Sequence, residues 1–162
     1  MAEPEWLTEV EQQAWRKLAT VLVQLPAALE AQLQRDEGLS HFEYWVMALL
    51  SEAPARSLRL SVLAAQANAS LSRLSHVVTR LERRGWVRRE RDPEDARAML
   101  AVLSDEGGER VTAAAPGHVA LVRSLVFDGL DAGAVRELDR VCARLVDHLD
   151  GPGVDRTSTA RS

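Results

Sequence analysis

The stretch from Leu71 to Leu103 constrains the fold most, because it specifies one helix, two strands and the punctuation between them. On a 3.6-residue period, Leu71, Leu74, Val77, Val78 and Leu81 share one side and should face a core. Ser72, Arg73, Ser75, His76, Thr79, Arg80 and Arg83 share the other. Ser70 is an N-cap for this helix and Gly85 its left-handed stop, which predicts a helix over 71–84. Beyond it, "WVRRER" and "AMLAVLS" read as two short strands, and the turn-forming "DPEDAR" between them makes a long-tipped hairpin.

Charge singles out the same stretch. Between residues 73 and 91 there are seven arginines against two glutamates, a local net of +5. The whole chain is at −4, so everything else carries −9. That asymmetry points to a local anionic partner. Lys17 is the only lysine, so arginine is this chain's default cation and its placement is more informative than its type.

The flanking sequence is helical. Leu7, Val10, Ala14, Leu18, Val21, Leu25, Leu29 and Leu33 repeat at steps of three and four, an amphipathic helix over about 5–34 that Pro26 should bend or break. A second helix starts at Ser40, with Glu43 completing a capping box and Leu39 and Tyr44 a hydrophobic staple. It should bury Phe42, Trp45, Val46 and Leu49, and "APARS" after it reads as a loop. Ser61 is expected to cap a short third helix, "VLAAQAN", followed by a turn at Asn68 and Ala69. Ser104 caps a fifth helix, which Pro116-Gly117 should kink. Asp131 caps a sixth, whose Val135, Leu138, Cys142, Leu145 and Leu149 share a face. The tail from 151 is small and polar and is expected to be disordered.

At 162 residues the chain has the size of one domain. No apolar run is long enough to span a membrane, and the acidic start lacks the apolar core of a signal peptide, so a cytoplasmic location is expected. The first helix and the last two are too apolar to be covered by the small central module. A two-fold homodimer paired through both chain ends accounts for that surplus, with an intramolecular bundle of the same helices as the alternative. The division is therefore 1–36, N-terminal dimerisation helix; 37–103, DNA-binding module; 104–150, C-terminal dimerisation helices; 151–162, tail.

Short helix, tight turn and second helix form a helix-turn-helix, and the hairpin after it makes it a winged helix. The second helix of such a unit enters the major groove. Ser72, Arg73, Ser75, His76 and Thr79 would reach base edges, while Ser70, Arg80, Arg83 and Arg84 hold phosphates. At the hairpin tip, Arg91 and Arg97 stand among acids; one of them would enter the minor groove, and Asp95 would pair with an arginine to hold the loop.

The run "SLSRLSHVVTRLERRGWVRRERDPEDARAMLAVLSDEGGE" resembles the MarR family of bacterial transcription regulators, and "LSHFEYWVMALLSEAP" is similar to that family's second helix. The likeness covers about residues 6–150. It implies a mainly α, homodimeric winged-helix repressor that binds pseudo-palindromic double-stranded operators. Arg97 matches the family's wing arginine and Asp95 its wing acid. It also implies release by a small, often aromatic effector. The members that sense oxidants through a cysteine near the start of the first helix have no counterpart here, since residues 6–20 contain none.

Trp15, His41, Tyr44 and Trp45 form a candidate effector pocket, or else ordinary core. No serine–histidine–acid, paired-carboxylate, metal-ligand or phosphate-loop pattern occurs, so no catalytic group, metal or cofactor is expected. Cys142, on an apolar stripe, should be buried. Two rival functions stand beside the regulator: a winged helix that binds only other proteins, and an enzyme built on Cys142 and a histidine.

Overall fold

The structure, a computed structural model, describes residues 5–150, so the 151–162 tail lies outside the described residues. In chain order the elements are α1 (Glu9–Glu37), α2 (His41–Glu52), β1 (Ser57–Arg59), α3 (Leu60–Gln66), α4 (Leu71–Arg83), β2 (Val87–Arg91), β3 (Met99–Leu103), α5 (Asp105–Val122) and α6 (Ala132–Asp150). They fall into two compact units, one ending at Leu121 and one beginning at Val122.

In the first unit, α1 begins with a capping box between Thr8 and Glu11 and ends at Gly38, whose φ of 63° only glycine adopts without strain. Pro26 does not break it. The helix runs through, and Pro26 lies on its exposed side, where water can reach the carbonyl that the missing N–H leaves unpaired. The capping box of Ser40 and Glu43 starts α2 as expected. Leu33, Leu39, Val46, Met47, Leu50, Leu63, Leu74, Val78 and Leu81 are fully buried and form the core. Each large side chain withdrawn from water there contributes about 1.5–3 kcal/mol. Trp45 departs from expectation: it is 44% exposed, while Phe42 and Leu49 are half-buried.

The segment read as a loop contains a strand. A short turn at Pro54–Arg56, with positive φ at Ala55 and Arg56, feeds β1. The sheet order is β1-β3-β2, all antiparallel, with Ser57 opposite Val102 and Val87 opposite Leu103. α3 begins two residues early, so Ser61 lies inside its first turn and Arg59 occupies the cap position without a side-chain bond.

Both helix ends around α4 are closed by the same device. After α3, Asn68 takes φ 50°, its N–H bonds to the Ala65 carbonyl, and the Ala69 N–H bonds to Ala64. After α4, Gly85 takes φ 74°, its N–H bonds to Glu82, and the Trp86 N–H bonds to Leu81. These are Schellman closures, and the second sets buried Trp86 three residues beyond the helix, at the root of the hairpin.

That root is joined to α5. The Ser104 hydroxyl donates to the Gly85 carbonyl and accepts from the Gly107 N–H, and the Ser104 N–H bonds to the Trp86 carbonyl. The Trp86 indole donates to Glu106. At Gly107 a Cβ would stand 2.3 Å from the Trp86 carbonyl oxygen, so no side chain fits. Pro116 and Gly117, expected to kink this helix, lie within it. Irregularity comes later, as a π turn over Arg123–Phe127.

In the second unit, the Asp131 carboxylate accepts the Ala134 N–H at 2.8 Å and starts α6. The apolar stripe is there, but Leu138, Cys142, Leu145 and Leu149 are exposed. The expected burial of Cys142 is thus overturned. Periodicity decides which residues share a face; burial needs a covering layer, and the described residues leave this face without one.

Candidate nucleic-acid interface

Ser70 caps α4 by accepting the Arg73 N–H. The inward row of Leu74, Val77, Val78 and Leu81 is buried, which forces the opposite face outward. Leu71 does not follow the row; in the first turn it is 54% exposed. Ser72, Arg73, His76, Arg80 and Arg83 are exposed, and Ser75 and Thr79 are half-buried.

The cations on this face are held in different ways. The Arg73 guanidinium lies 4.3 Å over the Phe42 ring of α2, a cation–ring contact between the two helices. Arg80 donates to buried Glu43 at 3.0 Å. Burial pushes the Glu43 carboxyl up, but the Ser40 N–H and hydroxyl and Arg80 outweigh it and hold the group ionised below its ordinary value. Arg84 donates to the Gly38 carbonyl and stacks on Trp86. Among the described residues, no ion pair or side-chain hydrogen bond engages Ser72, His76, Arg83, Arg91 or the Arg97 guanidinium. A cleft of about 560 Å³ between the start of α2 and α4 is lined by Ser40, Phe42, Ser70, Ser72, Arg73, His76 and Arg80.

In the hairpin, the acid paired with an arginine is not Asp95. Buried Asp92 bonds Arg59 of β1 at 2.5 Å and accepts the Glu94 N–H. That backbone bond first, with Arg59 added, holds its carboxyl below the ordinary range. Asp95 shapes the tip differently, accepting the Arg97 N–H at 3.0 Å. Short-range sequence reasoning missed Arg59 because its partner is 33 residues away.

The model of the MarR family matches residues 39–99. Over almost the whole chain, the structure is similar to that of Sco3205, a MarR family transcriptional regulator from Streptomyces coelicolor solved in complex with DNA. The identity is 42%, covering 96% of this chain and 97% of that one, with a TM-score of 0.90. The chain belongs to the MarR family of transcriptional regulators. AbsC, another MarR family regulator from Streptomyces coelicolor, is 40% identical over 90% of this chain and 98% of its own, with a TM-score of 0.86. The HTH-type transcriptional regulator YdcH of Bacillus subtilis (strain 168) is 41% identical over 54 residues, a third of this chain and 37% of that relative's length.

Within this MarR-family chain the candidate effector residues separate. His41 and Tyr44 of α2 meet His118 of α5, with ring centres 5.8 Å and 4.7 Å from it. Trp15, at 56% exposed, and Trp45 take no part in that cluster. Burial lowers both histidine pKa values; the neighbouring His41 lowers that of His118 further, while Glu30 partly offsets the effect at His41. The buried His118 Nδ1 and Gln32 Oε1 have no hydrogen-bond partner. His118 gave no signal in sequence, because nothing local distinguishes a lone histidine that folds onto two aromatic rings.

Proposed function

We propose that this protein binds double-stranded DNA in a sequence-specific manner as a homodimer, and represses transcription until a small aromatic effector releases it. The observation that carries the reading is the outward face of α4. It presents Ser72, Arg73, His76 and Arg83 unburied beside a wing whose Arg97 is exposed. Arginine there suits guanine O6 and N7, and the wing arginine suits a narrow minor groove. Arg80 and Arg84, tied to Glu43 and Gly38, serve as positioned phosphate contacts.

The homodimer is supported by the apolar residues that the single chain leaves open at both ends, Val10, Val21 and Leu22 on α1 and Val141, Leu145 and Leu149 on α6. Two copies of α4 would then sit about 34 Å apart and read a pseudo-palindrome of roughly 16–20 base pairs. The effector site is the cluster of His41, Tyr44 and His118, where a ligand would satisfy the unpartnered His118 Nδ1. An effector that favours another spacing of the two α4 copies lowers DNA affinity by population shift. Among the described residues no helix is long and apolar enough to cross a membrane, in keeping with a cytoplasmic site of action.

Selection from a random duplex pool tests this reading. An enriched pseudo-palindrome is expected, and Arg73→Ala should cost about 1–3 kcal/mol on it while blunting base preference. A pool that shows no enrichment, or equal Arg73→Ala losses on every duplex, would remove the claim of sequence reading.

A further inference from the structure

Arg89 is the most engaged cation among the described residues, and the functional reading above gives it no role. It lies on β2 opposite Ala101, with only 21% of its side chain exposed. One arm of the guanidinium, Nη1, bonds the Glu82 carboxylate at 2.5 Å, and the Arg89 N–H donates to the same carboxylate at 3.2 Å. The other arm, Nη2, reaches across to α4 and donates to the Ser75 carbonyl and to the Thr79 hydroxyl, both at 2.9 Å. The Ser75 hydroxyl lies 3.4 Å from the same nitrogen. The Thr79 hydroxyl is itself spent on the Ser75 carbonyl. A single side chain thus ties the root of the wing to two turns of α4.

We propose that Arg89 is a positioning residue for DNA recognition, resting on the DNA-binding reading. It fixes the angle between wing and α4, and it withdraws Ser75 and Thr79 from base reading, leaving that work to Ser72, Arg73 and His76. The planar fork matters as much as the charge. Five donors in fixed geometry reach a carboxylate, a carbonyl and a hydroxyl at once, whereas a lysine ammonium on a flexible stem does not hold the same angle. Because its charge is matched by Glu82, Arg89 makes no net contribution to phosphate neutralisation.

The experiment compares the wild-type chain with Arg89→Ala, Arg89→Lys and Glu82→Gln on the duplex enriched from a random pool and on a scrambled duplex of equal length. Affinities are measured over a series of salt concentrations, with folding followed by circular dichroism. The expected result is a loss of at least about tenfold in the ratio of specific to scrambled affinity for both Arg89 variants, lysine failing to rescue, with the salt slope unchanged. Glu82→Gln should show the same loss at smaller size and supplies the test should Arg89→Ala not fold. A changed base preference in Ser75→Ala would overturn the withdrawal of Ser75 from base reading. An unchanged ratio in the folded Arg89→Lys and Glu82→Gln variants would overturn the proposal while leaving DNA binding standing. So would a salt slope lower by about one in Arg89→Ala, which marks a direct phosphate contact. A wild-type chain that enriches no duplex would overturn the DNA reading and this inference together.

Discussion

Leu50 of α2 and Leu145 of α6 both sit on apolar faces of their helices, yet Leu50 is fully buried and Leu145 is 43% exposed. The difference lies in what covers each stripe. Around α2 the chain supplies layers: the C-terminal half of α1 with Leu33, then α3, α4 and the sheet. Among the described residues the N-terminal half of α1 and the apolar face of α6 receive no such layer, and Trp6, Val10 and Val146 are exposed. An apolar face of that length is stable in water only when a partner takes it up, which is why the second copy belongs to the proposed function.

Three substitutions would sharpen or break this contrast. The largest effect is expected from Leu145→Asp. If α6 meets its own copy, the change acts twice by symmetry, and losing two buried leucines costs about 3–6 kcal/mol of association before any repulsion between the new charges. Light scattering should then give half the wild-type mass while helical content is retained. A wild-type chain that already runs as a monomer would break the contrast altogether. Next is Leu50→Ala, which opens a cavity in a region covered by the chain itself. It should cost about 2–5 kcal/mol in denaturant unfolding, and the association of the two copies should be unaffected. The smallest effect concerns His41 and His118. Burial lowers both pKa values, so the unfolded chain binds protons more readily than the folded one. Stability is therefore fully present above the ordinary imidazole value of about 6.5 and falls as pH drops below it. Replacing His118 with Phe should flatten the loss of melting temperature between pH 7 and pH 5.

What could be read from the sequence follows the same line. Helix α4, its Ser70 cap and Gly85 stop, and the hairpin beyond were legible because the signals are local: a period, a cap and a positive φ. The caps at Ser40, Ser104 and Asp131 were legible for the same reason. β1 was hidden, since three residues show no alternation and its strand character comes from pairing with β3. The exposure of Cys142 was misjudged because a helical stripe records a face and not its occupant. Arg89 was counted among the basic residues and given no role, although Val87 and Arg89 fall on alternate positions of β2; its bonds to Ser75 and Thr79 exist only once the strand folds back on the helix.

The missing side chain at Gly107 has a mechanical consequence. With Ser104, Trp86 and Glu106 clasped around it, the start of α5 is welded to the hairpin root, and that joint has no slack. An 18-residue helix is roughly 27 Å long, so a tilt of about 10° at the weld sweeps its far end through about 5 Å. A change of tilt at the start of α5 would therefore be felt first at the hairpin root, which is bonded to it.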